Sequence, residues 1–122
     1  MRLDGAMLFV KDLHRMVAFY RDVLGLQLVE ETRLDNWVEF RGGGVQFSLH
    51  AIASAIAAET RIESPPRPRE QSPTKLTFTV QDVDATLEMI EQMGLPLLRR
   101  PWGGIEAVDP EGNVFDIAAR HD

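Results

Sequence analysis

Cysteine is absent from these 122 residues. That removes disulfides, thiol nucleophiles and thiolate metal sites together, and it fits a reducing, cytoplasmic setting. Basic charge is scarce: 13 Lys and Arg against 19 Asp and Glu give a formal charge of -6 and a pI near 5.0. No basic stripe is available to follow a phosphate backbone, so a nucleic-acid partner is not expected, while a cationic ligand is permitted without being required. Long apolar runs are missing too. The longest, such as 51–58, fall far short of a bilayer. The amino terminus lacks the basic-then-apolar pattern of a secretory leader, and no membrane partner is expected. What remains is ordinary: 44% hydrophobic and 26% charged residues in the length of a single domain, enough to bury a core.

An internal repeat organises the chain. "VKDLHRMVAFYRDVLGLQL" from Val10 and "VQDVDATLEMIEQMGLPL" from Val80 share a strand-ending Val, an Asp two residues later, an apolar helix face and a Gly-Leu-x-Leu exit, the second copy being one residue shorter within its helix. Asp12 and Asp82 cap these helices and Gly25 and Gly94 stop them. Leu13, Met16, Val17, Tyr20, Val23 and Leu24 form the inward face of the first, and Val83, Leu87 and Ile90 that of the second. Short strands follow each helix: 26–31, 37–41 and 45–51 in the first half, 95–99, 104–108 and 113–118 in the second. "RGGG", with Gly42 to Gly44, and "DPEG", with Pro110 and Gly112, supply hairpin turns. Each half therefore reads as strand, helix, three strands. The predicted layout is one α+β domain over 1–122, with a first module at about 1–51, a linker at about 52–73 and a second module at about 74–119. The linker, "ETRIESPPRPREQSP", is rich in Pro and charge and reads as an exposed spacer, with a lid over a ligand as the rival role. A short helix in "AIASAIAAE" is compatible with the pattern.

Alternation assigns side chains to faces. Val45, Phe47 and Leu49 oppose Gln46, Ser48 and His50; Leu76, Phe78 and Val80 oppose Lys75, Thr77 and Thr79; Asn113, Phe115 and Ile117 oppose Val114, Asp116 and Ala118. Ala6, Leu8 and Val10 suit the core, leaving Gly5, Met7 and Phe9 on the other side. That second face mixes Met7, Phe9 and Trp37 with Gln46, Ser48, His50, Lys75 and Asp116, the make-up of a small-molecule site. A solvated face of an antiparallel sheet is the plain alternative. Trp37 and Trp102 also fit as core or interface anchors.

These motifs, together with "VDPEGNVFDI", resemble the vicinal oxygen chelate superfamily of glyoxalases, bleomycin-resistance proteins and extradiol dioxygenases, over nearly the whole chain outside the Pro-rich segment. The resemblance implies paired βαβββ modules, mainly antiparallel curled sheets around a cleft with helices outside, commonly completed in a homodimer. Metal-dependent members place His or Glu at four cleft-facing strand positions, where a divalent ion keeps sites open for vicinal substrate oxygens. Counted from the flanking motifs, the resemblance puts those positions at Gly5, Ser48, Lys75 and Asp116. Gly5 offers no donor, Ser48 is a poor ligand and Lys75 brings a cation where a dication belongs, so neither a family-type metal nor any other cofactor is expected. Lys75 and Asp116 are instead expected to pair and form the polar floor of the cleft.

Other chemistries fit less well. Ser48, His50 and Asp116 are the residue types of a hydrolytic triad, but Ser48 and His50 project in parallel from one strand and no nucleophile-elbow motif is present. A relocated metal site of His50, Asp116 and Glu106 requires Glu106 to face inward, and its strand leaves that parity open. His14 reads as solvent-exposed and His121 as part of a terminal tail. "RRPWGGIE" resembles a segment of bleomycin-resistance-like members, where Trp102 is a stacking wall or a seam plug. The expectation is a homodimeric protein that binds or sequesters a small organic ligand without a metal, through Met7, Phe9, Trp37, Gln46, Ser48, His50, Lys75, Trp102 and Asp116. A lyase, isomerase or dioxygenase-like enzyme with relocated ligands or metal-free acid-base catalysis is the alternative, and a regulatory module with a vestigial cleft is a third.

Overall fold

The computed structural model describes residues 1–41 and 44–120. The chain divides into two compact units, Met1–Arg61 and Ile62–Asp122. Unit 1 contains β1 (Gly5–Val10), α1 (Leu13–Ala18), β2 (Gln27–Leu28), β3 (Trp37–Arg41), β4 (Gln46–Ala51) and α2 (Ser54–Glu59). Unit 2 contains β5 (Leu76–Val80), α3 (Val83–Gln92), β6 (Leu97–Arg99), β7 (Ile105–Val108) and β8 (Val114–Ala119). The fold is α+β, and each unit realises the βαβββ order that the repeat implies.

The caps explain why both helices start where they do. Asp12 and Asp82 sit in extended backbone and accept the amides of Arg15 (3.1 Å) and Ala85 (2.9 Å). Gly25 and Gly94 then end the helical segments at φ 76 and 78°. The extra residue of the first copy is absorbed in a π-helical turn, Phe19–Val23, that continues α1. Leu24 donates there to the Phe19 carbonyl five residues back, at 3.3 Å. This turn shifts the helix face: Phe19, outside the 3.6-residue pattern, is buried beside Met16, Val17, Tyr20 and Leu24, while Leu13 and Val23 are half-buried. In α3 the buried positions are Thr86 and Ile90, with Val83 and Leu87 half-buried.

The sheets follow one plan. Their strand orders are β1-β4-β3-β2 and β5-β8-β7-β6, with the first pair parallel and the others antiparallel. Phe40, Phe47 and Tyr20 pack together under the first sheet, with ring centroids 5.0–6.4 Å apart. Phe78 meets Phe115 edge-on at 5.4 Å in the second. The expected strand at 26–31 is confined to Gln27–Leu28. Beyond it the backbone tightens into a 3-10 turn, Glu30–Thr32, closed by Arg33 N–H donating to the Glu30 carbonyl. Val45 is exposed and precedes β4 instead of packing with Phe47. Gly42, Gly43 and His121 lie outside the described residues.

"DPEGN" is a buried turn with its own hydrogen bonds. Asp109 Oδ1 accepts the amides of Glu111 (2.9 Å) and Asn113 (3.0 Å), and Oδ2 accepts the Asn113 side chain at 2.8 Å. The Pro-rich segment is tied to this turn, so it is not the free spacer its composition suggests: Arg69 donates its amide to the Gly112 carbonyl (2.8 Å) and its Nε to the Glu111 carbonyl (3.1 Å). At Gly112, φ is 93° and a Cβ would stand 2.4 Å from the Arg67 carbonyl oxygen. Only glycine fits.

Candidate functional site

Strand registers place Met7, Phe9, Trp37, Gln46, Ser48, His50 and Asp116 on the sheet faces that their alternation predicts, with Ser48 buried at 5%; Lys75 directly precedes β5 and Trp102 lies in a hairpin loop. In unit 1, Gly5, Met7 and Phe9 of edge strand β1 pair with Gln46, Ser48 and His50 of β4, which pair in turn with Arg41, Glu39 and Trp37 of β3. Met7 and Phe9 are exposed, Phe9 at 63%, and the Phe9 ring meets the His50 imidazole at 5.3 Å. His50 Nδ1 is 2.7 Å from the Ala51 carbonyl on its own strand, not turned toward Ser48. Glu39 accepts Thr32 Oγ1 at 2.6 Å on one oxygen and Gln46 Nε2 on the other. A groove of about 440 Å³ in this unit lies elsewhere, between α1 and the Glu30–Asp35 segment, with Leu13, Val17 and Leu34 below and His14, Glu30 and Arg33 around it.

In unit 2, Thr77, Asp116, Glu106 and Leu98 stand in one cross-strand row. The Glu106 parity left open by the sequence is thereby settled: Glu106 faces the same side as Asp116 and is its direct antiparallel partner. The expected Lys75–Asp116 ion pair does not form. Lys75 Nζ reaches across β8 to Glu106 Oε2 at 2.5 Å. Arg100 holds Glu106 Oε1 from Nε (2.8 Å) and Nη2 (2.6 Å), and its Nη1 reaches Glu70 Oε1 at 2.7 Å. The reason is reach and charge: Glu106 extends one methylene farther than Asp116 and lies between two cations, so it collects both.

The two carboxyls are driven apart in acidity. The Lys75 hydrogen bond, opposed by burial and reinforced by Arg100, holds Glu106 below the ordinary carboxylate range. Burial, together with the hydrogen bond and negative charge of Glu106, pushes Asp116 up; Lys75 and the Thr77 hydrogen bond pull it back less. A second negative charge beside Glu106 is disfavoured, which is why its cross-strand partner Asp116 moves up while Glu106 moves down. The Lys75 side chain stays partly accessible, 43% exposed against 6% for Glu106. Trp102 sits at the tip of the β6–β7 hairpin, 74% exposed, over Gly104; Arg100 N–H closes that hairpin on the Gly104 carbonyl at 2.8 Å.

These groups do not suit the divalent ion the fold implies. At the positions the resemblance implies stand a glycine, a serine, a lysine bound to a carboxylate and an aspartate, and among the described residues no three His, Cys, Asp or Glu side chains gather into a metal-binding group. Arg100 is a site residue that sequence reasoning missed, and Glu106 entered it only as a ligand of a relocated metal site, not as an ion-pair partner. The repeat carried the missing signal: Glu39 opposes Ser48 as Glu106 opposes Asp116, so the two glutamates occupy equivalent registers.

The chain belongs to the Glyoxalase/Bleomycin resistance protein/Dioxygenase superfamily, whose family model matches residues 2–117. It is 30% identical over 131 aligned residues to "Uncharacterized protein YraH" of Bacillus subtilis (strain 168), covering 96% of this chain and 97% of that one. A crystal structure of a protein of unknown function from Agrobacterium tumefaciens str. C58 matches with TM-score 0.67 and 30% identity, over 99% of this chain and 95% of that one. Lactoylglutathione lyase from Agrobacterium tumefaciens matches with TM-score 0.58 and 25% identity, over 97% and 92%. Among the described residues no helix is long and apolar enough to cross a membrane.

Proposed function

We propose that this protein binds a small organic molecule without a catalytic metal, as a cytoplasmic homodimer that sequesters its ligand. The observation that carries the reading is the Lys75–Glu106 ion pair: the residue at one of the fold's ligand positions is a cation already held by a carboxylate. The proposed binding surfaces are one sheet face of unit 1, with Met7, Phe9, Trp37, Gln46, His50 and the buried Ser48, and one of unit 2, with Lys75 and Asp116, together with the exposed Trp102 of the same unit. They combine apolar walls with a few fixed polar groups. The absence of cysteine supports the reducing compartment, and the bare apolar side chains of edge strand β1 support self-association.

Elemental analysis of protein purified without chelator tests the reading, with a thermal-shift ligand screen run with and without EDTA. Substoichiometric metal and ligand shifts unaffected by EDTA are expected. A stoichiometric transition metal whose removal abolishes the shifts refutes it. Light scattering after size exclusion should give twice the mass of the 13.7 kDa chain.

Metal-free acid-base catalysis is a second reading, favoured by an Asp116 carboxyl that burial and the neighbouring Glu106 push up, beside the partly exposed Lys75. Turnover of any ligand the screen finds, lost in D116N with binding kept, would select it.

A further inference from the structure

The cation at the metal position defines what kind of ligand unit 2 can hold, an inference that rests on the metal-independent reading. Lys75 carries three N–H donors, of which one goes to Glu106 Oε2 at 2.5 Å. Arg100 satisfies the other oxygen of Glu106 and also Glu70, so Lys75 is not needed to keep Arg100 or Glu70 paired. The Lys75 side chain reaches from β5 past β8 to Glu106 on β7, and it is 43% exposed. The groups facing it are Glu106 on β7, Asp116 on β8 and Thr77 on β5, with Arg100 and Glu70 beyond Glu106. The charges of Lys75 and Arg100 are matched by those of Glu106 and Glu70, and Asp116 stands beside Glu106 in the same cross-strand row.

We propose that Lys75 is a built-in replacement for the divalent ion of this fold, and that unit 2 takes a ligand through one carboxylate or comparable oxyanion hydrogen-bonded to the Lys75 ammonium. An ion with open coordination sites grips two neighbouring oxygens at once. An ammonium donates single, divergent hydrogen bonds, so it has no preference for a vicinal pair. The ligand class is therefore an organic monoanion.

Two experiments on the full chain test this. In Lys75→His the ammonium is gone, Glu106 loses one partner, and an imidazole joins Glu106 and Asp116 as a possible donor set. Titration with Co²⁺, followed by visible absorption, should show one ion per chain in the variant at micromolar concentration and none in the wild type. Wild-type binding at this site, or a folded K75H variant that binds no ion, overturns the replacement. Lys75→Met guards against a folding artefact, since it should keep the wild-type circular dichroism and take up no cobalt. The second experiment titrates benzoate and, as the charge-reversed control, benzylammonium, following the backbone amide signals of residues 75–80 and 114–119 by NMR. Benzoate should move them in the wild type and at least tenfold less in K75M. Equal response to benzylammonium, or a benzoate response that survives in K75M, overturns the oxyanion assignment. Failure here alongside a neutral or cationic hit in the ligand screen removes only the inference. Success with cobalt alongside an empty screen removes the binding function and keeps the replacement.

Discussion

With both oxygens engaged by Lys75 and Arg100 and only 6% of its side chain exposed, Glu106 cannot lose its charge without leaving two cations short of an acceptor. Glu106→Gln should therefore destabilise unit 2 by about 3 kcal/mol, the low end for a broken buried pair because both cations retain some access to water. Lys75→Met should cost under about 1 kcal/mol, since its ammonium is partly solvated already and Glu106 keeps Arg100. Urea unfolding of the two variants measures the asymmetry, and equal losses would contradict it. At this scale the sequence was half legible. Asp116 stood out as an acid among apolar neighbours, but parity says only which side of a sheet a residue takes. Which cation meets which carboxylate depends on side-chain length and on the order of strands that are far apart in the chain.

Among the elements, the "DPEGN" turn couples a hairpin to the Pro-rich segment. Gly112→Ala must both hold a positive φ and push a Cβ against the Arg67 carbonyl, whereas Gly25→Ala meets only the first problem, with nothing within 4 Å. A loss of about 1 kcal/mol is expected for Gly25→Ala and more than about 2 kcal/mol for Gly112→Ala. The larger loss should come with release of the segment that Arg69 fastens, read as faster tryptic cleavage after Arg69 in G112A. Unchanged cleavage would mean the segment is held by other contacts. Helix caps, glycine stops and most strands were readable because each is a local rule written in a few adjacent residues. The π turn was visible only as a one-residue surplus in the first repeat, because a 3.6-residue template has no place for Phe19. The fastening of the Pro-rich segment was not readable at all, since it joins backbone groups some 40 residues apart.

At the scale of the whole molecule, the opposed acidities of Glu106 and Asp116 shape stability against pH. Glu106 is depressed in the folded state, so its contribution is fully present above the ordinary carboxylate pKa and lost as pH falls through the lowered value. Asp116 is raised, so its contribution is fully present below the ordinary carboxylate pKa and lost as pH rises through the elevated one. Across that upper window the unfolded chain has already released a proton that the folded chain still holds, and stability declines with pH by at most about 1.4 kcal/mol per unit for one proton. Asp116→Asn keeps a donor toward Glu106 and removes the titration. The variant should match or fall slightly below the wild type where Asp116 is protonated, then exceed it as pH rises past the folded-state value. Urea midpoints taken at half-unit steps from acid to mildly alkaline pH give the comparison. Parallel curves for wild type and D116N across the whole range would mean that folding does not raise Asp116, and the account of Glu106 and burial disfavouring its charge would fall.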